Sequence, residues 1–142
     1  MRVMLILLVL AVAGAGVSVV LGERDDGGSF YGWRPHAPES QDEQAAARVA
    51  VAYALAIVKG DSARACAYAA GESFRRLRCG SRPRRDRYLS VNGEVRAYHV
   101  DLGGGEASVW LDGIDPGPVR SFELRRVGNS WRVIGDVGFG LA

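Results

Sequence analysis

The chain has 142 residues, 48% of them hydrophobic and 24% charged, which is enough apolar material for one packed domain and too much for a disordered chain. A formal charge of +2 excludes a uniformly basic nucleic-acid binder. Two cysteines and two histidines, with no metal-ligand spacing, argue against a bound metal, and no cofactor motif is present.

Residues 3–21 run without a charge, and Ser18 is their only hydroxyl. As a helix they would span roughly 28 Å, close to the thickness of a bilayer's hydrocarbon core. Two readings are open. The segment is either a single-pass membrane anchor or a signal peptide cut near Ala13-Gly14-Ala15. Cleavage there would leave Val17–Leu21 as an apolar N-terminus, so the anchor is favoured. A lipoprotein signal would need a cysteine directly after the run, and the first is Cys66. Lys and Arg on the two flanks give no strong orientation bias. The likeness to a signal sequence and the cysteine pair favour a cell-membrane protein with its domain outside the cytoplasm, or a secreted one if the leader is removed.

Residues 22–37 read as a linker, rich in Gly and Pro and without hydrophobic period. The domain is then 38–142. Ser40 and Glu43 form a capping-box pattern that starts a helix running to about Lys59, with Gly60 as its stop. Val49, Tyr53, Ala56 and Ile57 fall on one face, and Val51, Leu55 and Val58 on another. Such a helix is expected to be covered on two sides. Asp61 caps a second helix from Ser62 to about Ala70, and Ser73–Leu77 suggests a third turn.

From Tyr88 the period falls toward two. Strands are expected at Val95–Leu102, Glu106–Asp112, Val119–Val127 and Ser130–Val137, with a short Tyr88–Val91 piece ahead of an Asn92-Gly93 turn. Hairpin turns fall at Gly103–Gly105 and Gly128-Asn129. Phe122, Leu124, Trp131 and Val133 read as inward-facing. Two to three helices followed by a curled antiparallel sheet of about four strands make an α+β domain.

This pattern resembles the nuclear-transport-factor-two-like superfamily, whose fold is a cone-shaped α+β domain. The resemblance is carried by Val51–Cys66, by the hairpin-rich β segment, and by the closing Phe122–Ile134 stretch. It covers about 100 residues and implies a sheet curled around the long helix. Relatives include small cavity enzymes and inert ligand-binding or dimerising domains, which leaves a homodimer open. Fold alone does not choose between these.

Cys66 and Cys79 are spaced to staple the helical part to the connector that follows, or remain two free thiols if the domain is cytosolic. Arg75, Arg76, Arg78, Arg82, Arg84, Arg85 and Arg87 give residues 61–90 a net charge of +5, against −2 for 91–142. The cluster fits anionic lipid or an acidic protein partner, or a solvated loop paired with the acidic sheet. Nucleic acid is not expected, because stacking aromatics are not interleaved with the arginines.

His99 and Asp101 lie two apart on an expected strand and would form an acid–base pair if turned inward. The more apolar Tyr98, Val100 and Leu102 occupy the other face, so His99 and Asp101 are expected to point to solvent and no catalytic residue is assigned. Tyr53, Tyr68, Tyr98 and Trp110 are candidates to line a pocket. The favoured reading is a tethered, non-catalytic binding or interaction domain. The alternatives are a cavity enzyme (isomerase, dehydratase or hydrolase) using His99 and Asp101, and an accessory subunit whose small-residue stretch Ala13–Gly16 packs in a membrane complex.

Overall fold

The computed structural model describes residues 34–82, 89–115 and 120–138. The candidate anchor at 3–21, most of the linker, Tyr88, the 116–119 loop, and Arg84, Arg85 and Arg87 lie outside them. No helix among the described residues is long and apolar enough to cross a membrane.

Three helices precede four strands: α1 (Gln41–Lys59), α2 (Ser62–Tyr68), α3 (Gly71–Arg76), β1 (Ser90–Gly103), β2 (Glu106–Asp115), β3 (Arg120–Val127) and β4 (Ser130–Gly138). The strands form one antiparallel sheet in the order β1-β2-β3-β4, a meander with β1 and β4 at its edges. The helices pack on it, and the domain is α+β as expected.

Local chemistry sets the helix limits. The Ser40 hydroxyl accepts the Glu43 N–H, and the Glu43 carboxylate accepts the Ser40 N–H, so two orphan donors of the first turn are satisfied. Asp42 and Glu43 at the start and Lys59 at the end complement the helix dipole. Gly60 closes α1 in the left-handed region at φ +68°. Asp61 caps α2 by accepting the Arg64 N–H. The chain then turns through α3, and Cys79 returns to Cys66 with a Cα–Cα separation of 5.6 Å. The staple is a disulfide, and the described residues contain no free cysteine.

The core lies between α1 and one face of the sheet. Ala46, Ala50, Tyr53, Ala54 and Ile57 descend from α1, and Val109, Leu111, Phe122, Leu124 and Val133 rise from the strands, all buried. Alanines along α1 let the helix sit close to the sheet, and the bulk comes from Tyr53, whose ring meets Phe122 edge-on at 5.9 Å. The inward placement of Phe122, Leu124, Trp131 and Val133 follows the alternation in the sequence.

Three expectations change. Residues 92–95 do not form a turn between separate strands; Val91 pairs with Ile114 and Arg96 with Asp112, so they bulge out of a continuous β1. Gly113 faces this bulge at φ +80°, with Glu94 carbonyl oxygen 2.3 Å from where a Cβ would stand. Secondly, α1 is covered by the sheet on one side only; Val49, Leu55 and Val58 remain half-buried. Thirdly, the end of the linker belongs to the folded unit. His36 lies along the outer edge of β1, where its carbonyl accepts the Val100 N–H at 2.9 Å. At the opposite edge the Ala70 N–H donates to Val133 oxygen at 2.8 Å.

Candidate functional site

The space between α1 and the sheet is filled. Tyr53, Phe122, Leu111, Leu124, Val109 and Val133 are each completely enclosed there, so this interior holds packing rather than a ligand. Two recesses open beside it, and a third polar cluster lies on the other face of the sheet.

The cluster on the far face contains the acid–base candidates. A bulge at Tyr98 sets the register so that His99 lies opposite Trp110 and Asp101 opposite Ser108, on the face turned away from α1. That orientation matches the alternation. The expected solvent exposure of His99 does not hold: it is 5% exposed, whereas Asp101 is open. The returning linker is the cause. The His36 N–H donates to His99 Nδ1 at 2.7 Å, and the His99 ring stands edge-on to Trp110 at 4.6 Å. Nδ1 therefore carries the lone pair and spends it on His36, leaving Nε2, which is 3.5 Å from Asp101, as the protonated nitrogen of the neutral ring. A ring held this way fixes the linker and is poorly placed to accept a substrate proton.

The same strap is anchored to α1. His36 Nε2 is 2.9 Å from Glu43 Oε1, while Glu43 Oε2 accepts the N–H groups of Ser40 and Glu39. Those backbone bonds, first Ser40 and then Glu39, with His36 adding to them, pull the Glu43 carboxyl down to about 2. The Glu43 hydrogen bond in turn raises His36 above its ordinary value.

The first recess, of about 260 Å³, lies at the β4 edge between α3 and the sheet. It is lined by Glu72, Ser73, Arg76, Glu123, Gly135 and Asp136, among others. Gly135 stands opposite Glu123, and its missing side chain leaves this space open. Arg76 and Arg120 converge on the Asp136 carboxylate at 2.6 Å each, and Arg76 also reaches the Tyr53 hydroxyl at 3.4 Å. Burial would push Asp136 up, but the hydrogen bonds and charges of the two guanidiniums outweigh it and hold the carboxyl below its ordinary value. Glu123 is occupied by the hydroxyls of Ser108 and Ser121. The charges here serve one another, and the cluster reads as a clamp between α3 and the sheet.

The second recess is a groove of about 530 Å³ along the outer side of α1. Its floor is half-buried Val49, Ala52 and Leu55 together with buried Ala56, and Tyr68 and Trp131 form walls. Arg48, Lys59 and Arg64 line it as cations, with Asp61 the acid among the lining residues. Trp131 is held by its Nε1–H bond to Asp42 at 3.0 Å and by Arg126, which lies over its ring and pairs with the same carboxylate.

The sequence candidates thus separate. Tyr53 is core, Tyr68 lines the groove, and Trp110 packs on His99. Tyr98 is half-buried; burial and then the Asp112 charge push its phenol up to about 12, so it stays protonated. Arg76 leaves the surface set for Asp136, while Arg75, Arg78 and Arg82 remain exposed. Arg48, Leu55 and Trp131 were not singled out as site residues. Leu55 belongs to the second apolar face of α1 and Val49 to the first, so the groove straddles two faces whose apolar pattern points to burial. Among the described residues no cluster of His, Cys, Asp or Glu is suited to a metal ion. No family model, curated protein or solved structure matches the chain.

Proposed function

We propose that this chain is a membrane-tethered, extracytoplasmic and non-catalytic interaction domain of the nuclear-transport-factor-two-like class, and that it binds its partner along the outer side of α1. The observation that carries this reading is the groove. A long helix with one face sealed against a sheet leaves a half-buried apolar strip, Val49, Ala52 and Leu55, recessed between aromatic walls and bordered by cations, and an apolar recess with a few convergent polar groups marks a binding site. The filled interior and the strapped imidazole of His99 favour binding over turnover. The Cys66–Cys79 bridge suits an oxidising compartment, and so supports placing the domain outside the cytoplasm with residues 3–21 as its anchor. Arg75, Arg78 and Arg82, followed in sequence by Arg84, Arg85 and Arg87, supply a basic surface for anionic headgroups near the bilayer.

Two measurements test this. In intact cells the two cysteines should resist alkylation until reduced; labelling before reduction would remove the case for export. A photo-crosslinking residue at position 55 should give a discrete adduct in native membranes, whereas one at Asp112, on the far face of the sheet, should not. Equal adducts from both positions, or none from 55, would refute the groove as the binding face.

A further inference from the structure

Resting on that reading, we propose that the occupant of the groove is an amphipathic helix of a partner protein, with acidic residues flanking its apolar seam. The groove follows α1 from Ala45 to Lys59, about 21 Å or four helical turns. The α1 residues that line it recur at spacings of three, four and seven, which is the stripe one helix offers another. Ala52 on the floor lets a second backbone approach closely, while Val49 and Leu55 provide ridges beside it. An extended peptide is a poorer occupant. The groove is built on a helix whose backbone groups are bonded internally, so it presents no open sheet edge to add to.

Charge chooses among helices. Arg48 and Lys59 stand eleven residues apart, toward opposite ends of the groove, and Arg64 adds a third cation from α2. None of the three forms an ion pair among the described residues. Asp61, the acid on the lining, already accepts the Arg64 N–H as the cap of α2. A second copy of this chain would bring the same cations face to face. A single-chain anionic lipid would answer one end and leave the other unmet. A helix with carboxylates about three turns apart answers both.

The experiment uses the full chain in phosphatidylcholine nanodiscs and three probes. Two are fluorescent 18-residue helical peptides sharing one apolar seam, flanked in one by Glu and in the other by Lys. The third is lysophosphatidylglycerol as competitor. The Glu-flanked peptide should bind and the Lys-flanked one should not. Arg48→Glu/Lys59→Glu, both at exposed positions, should weaken the Glu peptide by about tenfold and create binding of the Lys peptide. Leu55→Asp, with an unchanged near-ultraviolet circular dichroism spectrum, should abolish both. Equal binding of the two peptides, or a lipid that displaces the Glu peptide and is itself sensitive to Leu55→Asp, would overturn the acidic helix while leaving the groove as a binding face. Binding by no probe, or binding indifferent to Leu55→Asp, would overturn both readings.

Discussion

Removing the Asp136 carboxylate should be the most damaging single polar change in the domain. Asp136→Ala deletes two contacts of 2.6 Å and one of 3.1 Å from Arg76 and Arg120. The carboxylate side chain is 2% exposed and Arg120 is 11% exposed, so water reaches Arg120 poorly, whereas Arg76, at 34%, is partly rehydrated and contributes less to the loss. Breaking a buried pair by removing one partner costs about 3–5 kcal/mol, because the surviving charge stays desolvated. At about 4 °C per kcal/mol, Tm should fall by about 12 °C or more. Glu106→Ala is the internal control. It breaks the Arg125–Glu106 pair, whose two side chains are both more than half exposed, and should cost less than about 1 kcal/mol. Asp136→Asn keeps the shape without the charge and should fall between the two. The sign with pH follows from the lowered Asp136 value: its contribution is complete above the ordinary carboxylate range and is lost as pH falls through the lower folded value. Thermal and urea unfolding of the detergent-solubilised chain, followed by tryptophan fluorescence from pH 7 to pH 3, read the Tm shift and the pH dependence. Equal losses for Asp136→Ala and Glu106→Ala, or an acid-side slope unchanged in Asp136→Asn, would refute the buried clamp.

Other outcomes follow from the same geometry. Reduction of Cys66–Cys79, or Cys66→Ala/Cys79→Ala, should lower stability by about 3 kcal/mol for a loop of this size, read as a shift of the urea midpoint with and without dithiothreitol. Gly113→Ala should cost at least about 2 kcal/mol, since it meets both a positive φ and the Glu94 carbonyl; Gly128→Ala, at φ +61° in open space, should cost about half that, and equal losses would dismiss the close contact. The His36–Glu43 bond should be strongest between roughly pH 4.5 and 6.5. Below that window the contribution of Glu43 is lost progressively as pH falls from the ordinary carboxylate range to about 2, where the folded carboxyl takes up its proton; above it the contribution of the raised His36 is lost as its proton leaves. Ring chemical shifts of His36 followed by NMR should titrate lower in Glu43→Gln, and an unchanged titration would contradict the strap.

What the sequence revealed is what neighbouring residues decide. Ser40 with Glu43 starts α1, Gly60 ends it, and Gly104-Gly105 turns the first hairpin in a conformation that favours glycine. Strict alternation placed Phe122, Leu124, Trp131 and Val133 inward, and the cysteine spacing placed the staple. The missed features depend on residues far apart. His36 meets His99 across 63 positions, and Arg76 meets Asp136 across 60. The bulges at Tyr98 and at 92–95 break a period that pattern reading assumes continuous. The groove was half legible: two apolar faces on α1 were visible, but only the packing shows that Val51 and Ala56 are buried while Val49 and Leu55, one from each face, stay half-covered.

The two backbone bonds at the sheet margins have a further consequence. A four-stranded meander has two raw borders, and each invites a foreign strand to continue the ladder. Here His36 plugs one border at Val100, and Ala70 plugs the other at Val133. Pulling the N-terminal side of the chain would load the first plug through His36 before any force reached α1. Releasing it would bare a zipper for self-assembly, so the short stretch around His36 doubles as a guard against fibre growth.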